Sequence, residues 1–140
     1  MTTIYSTQAT AIGGREGNVK TADGKFDLKF SMPKNSEGTS PDGTNPEQLF
    51  AMGYAACFDG ALNLVASMKH VKISSETTAK VSLCKNDEGG FDIAVDISVM
   101  IAGVDQAAAD DLVATAHQVC PYSRATRNNV AVNVSSKVKS

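Results

Sequence analysis

Residues 45–70 read NPEQLFAMGYAACFDGALNLVASMKH. Asn45 suits a helix cap, Pro46 the first helical position, and Glu47 the positive end of the helix dipole. No further proline interrupts the run, so it reads as one helix to His70. Its length is about 25 residues, on the order of 37 Å at the helical rise. Between Leu49 and Met68 it is apolar on most sides, with Asp59, Asn63 and Ser67 as exceptions. A helix apolar all round belongs in a core. The same run approaches the ~20 residues of a membrane span, but Asp59 and Asn63 at its centre are costly in lipid. The preferred reading is a central core helix without a membrane role. In a chain this short, such a helix needs a partner chain to cover it.

Working outward, the N-terminal side alternates apolar and polar residues. A strand-like piece begins at Ile4 and Tyr5, Gly13-Gly14 breaks it, and Asp23-Gly24 is a hairpin signal. Phe26, Leu28 and Phe30 then share one strand face. Residues 34–45 form a polar Gly/Ser/Pro loop. On the C-terminal side, Val71, Ile73, Val81 and Leu83 mark strand, and residues 86–90 a turn. Phe91, Ile93, Val95, Ile97, Val99 and Ile101 then alternate well and share one face. Asp105 caps a second helix over about 106–120, CPYSRATRNN ends it, and Val130, Val132 and Val134 form a last strand. Strands, helix, strands, helix, strand is an α+β order, with antiparallel sheets, a long central helix and a second helix packed on one side.

The 140 residues suit one domain, 1–140. A net charge of −2 lacks the basic face that phosphate neutralisation needs, so no nucleic-acid partner is expected. The absence of Trp removes the best base-stacking platform. The opening MTTIYSTQATAIGG has neither a basic region nor an apolar one, which sets the expectation of a cytoplasmic protein. In that compartment thiols stay reduced, and three cysteines do not make a structural disulfide framework. No CxxC is present, and His70 and His117 lack zinc-site spacing, so no metal is expected.

The chemistry therefore rests on thiols. Cys57 lies mid-helix, with Gly53, Tyr54, Gly60 and Ala61 one turn away on its own face. The small residues leave space beside the sulfur. A cysteine so placed is an inert core thiol unless a cation stabilises its thiolate. Cys120 precedes Pro121 and so ends its helix. The negative end of that helix disfavours a thiolate there, which suits a resolving cysteine better than an attacking one. Cys84, in KVSLCK, reads as structural or incidental. His117 could serve a cysteine as base, or be an ordinary helix residue. Arg15, in GGREG, is a candidate cation or an exposed loop charge. It would need a carboxylate to hold its guanidinium fork. With Asp59 on another face of the helix, Glu47 is the candidate nearest Cys57 in sequence, but ten residues on one helix are about 15 Å. Glu47 thus reaches a Cys57 site only from a second subunit. Asp59 is read as lying on a solvated or interface face.

NPEQLFAMGYAACF (45–58), VCPYSRAT (119–126) and GGREG (13–17) together resemble the organic hydroperoxide resistance branch of the OsmC/Ohr superfamily, over nearly the whole chain. The resemblance implies an intertwined homodimer and a thiol peroxidase that uses neither metal nor flavin, with no cofactor. Cys57 would be the peroxidatic cysteine and Cys120 the resolving one, linked in a disulfide during turnover. Arg15 and Glu47 would activate the thiolate and orient the peroxide. Phe50, Tyr54, Phe58 and Leu64 would face the organic part of the hydroperoxide. The implied reductant is a lipoylated protein or dihydrolipoamide. The alternatives are an OsmC-type peroxidase, a cysteine hydrolase using His117, and a non-enzymatic dimeric binder of hydrophobic acids.

Overall fold

A computed structural model describes residues 1–33 and 42–139. Most of the predicted polar loop, residues 34–41, lies outside the described residues. The chain forms two compact units, Met1–Leu49 and Phe50–Ser140.

The first unit is a three-stranded antiparallel meander: β1 (Ala9–Ile12), β2 (Asn18–Thr21) and β3 (Asp27–Lys29). The strand expected from Ile4 starts only at Ala9. Asp23-Gly24 makes the expected hairpin: Asp23 Oδ1 accepts from Thr21 Oγ1 and from the Lys25 amide, with Gly24 at φ 74°. A single 3-10 turn, Gly14–Glu16, links β1 to β2. Gly13 enters it at φ 82°, a left-handed conformation open to glycine. Gly17 leaves it against the Ile12 carbonyl, which a Cβ there would meet at 1.7 Å. This pinched turn carries Arg15.

Helix α1 (Pro46–Met68) starts in the first unit and continues through the second. Its start is built as the sequence implies: Asn45, buried, accepts the Gln48 amide through Oδ1 at 2.8 Å. Its end comes two residues before the expected His70. His70 takes a left-handed φ of 57°, and the Val71 amide returns to the Ala66 carbonyl at 2.9 Å, closing the last turn.

The second unit pairs β4 (Ser74–Lys85) antiparallel with β5 (Phe91–Ala102) over twelve residues. Helix α2 (Gln106–Val119) follows, capped by Asp105, whose carboxylate accepts the Ala108 amide. Strand β6 (Ala131–Val138) then pairs with β5 in parallel. The sheet is therefore mixed where antiparallel pairing alone was expected. The α2 connection returns the chain to the start of the sheet, and such a crossover makes neighbours parallel. Val95, Ile97, Val99 and Ile101 point inward as their period requires. They form one core with Tyr54, Phe58, Leu62 and Val65 of α1 and with Leu112, Val113 and Ala116 of α2. Phe91, at the strand's end, is exposed.

By length and composition α1 is long and apolar enough to cross a membrane. Its packing is that of a core helix on one side: Tyr54, Phe58 and Leu62 are fully buried. Met52, Leu64 and Met68 are exposed on other sides. Asp59 is not simply solvated. Its Oδ1 accepts from Ser75 Oγ and Thr77 Oγ1 of β4, each at 2.8 Å, so it ties α1 to the sheet. Asp59→Ala leaves both hydroxyls without that acceptor. It is expected to cost about 1–3 kcal/mol, read as a lowered urea midpoint, with Asp59→Asn milder because its amide oxygen still accepts.

Candidate active site

Two constellations emerge, one in each unit. In the first, Arg15 and Glu47 form a two-pronged ion pair. Arg15 Nη1 donates to Glu47 Oε2 at 2.8 Å, and Nη2 donates to Oε1 at 2.6 Å. The pair joins residues thirty-two apart in sequence within one chain. Its hydrogen bonds to Arg15 hold the Glu47 carboxyl below the usual carboxylate range, against a smaller opposing effect of burial. The same bonds raise the Arg15 pKa above its ordinary value. Fork-on-carboxylate geometry fixes the guanidinium plane and leaves its other edge for a third group. The Arg15 side chain is 38% exposed, so the pair adds little to stability.

In the second unit the two cysteines meet. Cys120 Sγ lies 3.5 Å from Cys57 Sγ, with both thiols free. Cys57 is half-buried and Cys120 fully buried, while Cys84 is exposed on β4. Burial pushes the Cys57 thiol up, and the Cys120 thiol beside it adds to that. The Tyr122 backbone N–H, directed at the Cys57 sulfur, works the other way and favours the thiolate.

That amide belongs to an element absent from the sequence reading. Pro121 ends α2 but also opens a short helix, α3 (Pro121–Thr126), at its first position. Cys120 sits at the joint in an extended conformation, φ −59° and ψ 124°. It therefore caps one helix and begins the next. The Tyr122 ring lies over Gly53, one turn before Cys57; a Cβ on Gly53 would meet the Tyr122 hydroxyl at 2.9 Å.

The residues expected to face substrate are placed unequally. Phe50 is half-buried, its ring 6.0 Å from Tyr54 and 6.2 Å from Tyr122. An apolar groove of about 420 Å³ runs beside it, lined by Tyr122, Ile93, Ala125 and Val130 among others. Leu64, seven residues after Cys57, is exposed on the same helical stripe. Tyr54 and Phe58 are fully buried and form packing within the unit. His117 bonds Ser123 through Nδ1 at 2.7 Å, where service as base would need a cysteine partner. Burial, then the nearby Arg127 charge, lowers the His117 pKa and favours its neutral form.

This architecture is shared with known proteins. The family model described as OsmC-like protein matches residues 38–135. The chain is 46% identical to the organic hydroperoxide resistance protein of Xanthomonas axonopodis pv. citri, covering 94% of this chain and 93% of that one. It is 46% identical to the organic hydroperoxide resistance protein OhrB of Bacillus subtilis, covering 96% and 98%. Among solved structures, an organic hydroperoxide resistance protein from Elizabethkingia anophelis superposes with a TM-score of 0.92 at 44% identity, covering 99% of this chain and all of that one. The chain belongs to the OsmC family, on its organic hydroperoxide resistance branch.

Proposed function

We propose that this chain is a thiol peroxidase that reduces organic hydroperoxides to alcohols, the whole of residues 1–140 acting as one OsmC/Ohr-like domain. One observation carries the reading: a half-buried Cys57 within 3.5 Å of a second, fully buried thiol. Such a pair closes to a disulfide by a shift of about 1.5 Å, given an S–S bond of about 2.05 Å. The names of the relatives supply the substrate class.

The Cys57 thiolate attacks the outer oxygen of ROOH and the O–O bond breaks. Sulfur is oxidised to sulfenic acid, and the alkoxide leaves and takes a proton as ROH. Cys120 then attacks the Cys57 sulfur, forming the disulfide and releasing water. A dithiol reductant, a lipoylated protein or dihydrolipoamide, exchanges with the disulfide and restores both thiols. The Arg15–Glu47 pair supplies the cation that a buried thiolate requires and steadies charge on the departing oxygen. Because Glu47 and Cys57 are ten residues apart on α1, about 15 Å, we place that pair at the partner's Cys57 in a homodimer. The dimer also covers the exposed apolar side chains of α1. Phe50, Leu64 and the groove beside Tyr122 would receive the organic group, with Tyr54 and Phe58 as the packing behind them. The reducing chemistry of the pair fits the cytoplasm.

Counting thiols tests this directly. Reduced protein carries three. One equivalent of cumene hydroperoxide is expected to leave one titratable thiol in the wild type, and to give a Cys57 sulfenic acid trapped by dimedone in Cys120→Ser. Three surviving thiols would make Cys57 an inert core residue and leave the hydrophobic-acid binder as the better reading.

A further inference from the structure

Three helices meet at one buried hydroxyl. Ser123 Oγ of α3 lies 2.8 Å from the Tyr54 hydroxyl of α1 and 2.7 Å from His117 Nδ1 of α2. The Tyr54 hydroxyl continues to Thr126 Oγ1 at 3.2 Å, and Thr126 donates back to the Ser123 carbonyl. Ser123 and Tyr54 are fully buried, and Thr126 nearly so. A polar chain in an apolar core is costly unless every member is satisfied, and here each has a partner.

Its position gives it a use. Ser123 follows Tyr122, whose amide is directed at Cys57, and comes three residues after Cys120. Tyr54 is three residues before Cys57 on α1. The Tyr54–Ser123 bond therefore bridges α1 and α3 beside the sulfur pair. Helix α3 has six residues. A helix that short has little stability of its own, so its seat is set by side-chain contacts. The fold would bury an alanine at position 123 at lower desolvation cost.

We propose that Ser123, bonded to Tyr54 and His117, is a positioning residue for the Cys57–Cys120 pair: its hydroxyl fixes α3 against α1 and so sets the spacing of the two sulfurs. The proposal rests on the redox-pair reading above and deepens it. Resolution of the sulfenic acid is an intramolecular reaction, in which a misplacement of ~1 Å can cost on the order of 100-fold.

The test is an equilibrium, read in a Cys84→Ser background. Titrating the Cys57–Cys120 disulfide against a reduced and oxidised glutathione buffer gives the effective concentration of one thiol for the other. Ser123→Ala is expected to lower it by about ten- to a hundredfold, on the scale of a misplaced reacting pair. Tyr54→Phe, which keeps the ring, should shift it in the same direction by less. Val99→Ala, six residues along β5 from Ile93 beside Tyr122, loosens the same core, and should lower thermal stability while leaving the effective concentration as in wild type. A wild type that closes its disulfide, with Ser123→Ala and Tyr54→Phe unshifted, overturns the positioning role alone. A wild type that forms no Cys57–Cys120 disulfide overturns both this role and the redox pair.

Discussion

Cys57→Ser is expected to reduce peroxide consumption to the uncatalysed background, a loss of at least about three orders of magnitude, the scale seen when a nucleophile is removed. The physical reason is the attacking atom. A serine hydroxyl stays protonated at neutral pH and cannot be oxidised to an analogue of sulfenic acid. The substitution is close to isosteric at a half-buried position, so the fold should persist. A thermal midpoint near that of wild type separates lost chemistry from lost structure. Cys120→Ser should behave differently: it keeps the first oxidation step and loses turnover. The measurement is the initial rate of cumene hydroperoxide consumption with dihydrolipoamide, with dithiol-free controls. If Cys57→Ser retained turnover while Cys84→Ser lost it, the exposed strand cysteine would become the reacting thiol.

How far the sequence carried this site follows from what kind of signal each part leaves. Helix α1 was legible because Asn45, Pro46 and Glu47 mark a start and the apolar run marks its length. Its end falls two residues before the one the sequence suggests, because His70 closes it in a left-handed conformation usually left to glycine. Alternation at Phe91–Ile101 identified β5, yet alternation carries no direction, and β6 proved parallel to it. In the sequence Pro121 reads as a stop. It is equally a good first helical residue, and α3 was hidden by that double meaning. With α3 went the Tyr122 amide at Cys57, since a backbone N–H has no residue signature. The Tyr54–Ser123 bond joins residues sixty-nine apart and leaves no period to detect. The same gap explains Tyr54 and Phe58: lying three residues before Cys57 and one after it does not say which side of the sulfur is solvent and which is core.

Arg15→Met should slow the reaction of reduced Cys57 with organic hydroperoxide by on the order of 10²–10³, the usual loss on deleting one transition-state charge stabiliser. On the proposed mechanism, two roles are removed at once. Without the cation, burial holds the Cys57 thiol protonated, opposed only by the Tyr122 amide among the causes that lower its pKa. The departing alkoxide also loses its positive partner. Arg15→Lys keeps the charge but not the two-pronged grip on Glu47, because an ammonium is a point donor. Its rate should fall between wild type and Arg15→Met. Glu47→Gln leaves Arg15 in place with a neutral acceptor and is expected to cost less than Arg15→Met. The pH dependence of the pair has a definite sign. Arg15 depresses the Glu47 carboxyl in the folded chain. The pair's contribution is thus complete above the unfolded carboxyl value of about 4.3 and is lost as pH falls through the lower folded value. Across the neutral range the fork stays ionised, so a rise of rate with pH there reports the thiol and not Glu47. Single-turnover stopped-flow on reduced protein reads the step directly, free of the reductant. An Arg15→Met protein that reacts as fast as wild type would remove Arg15 from the site and leave the Tyr122 amide and the solvent to support the thiolate.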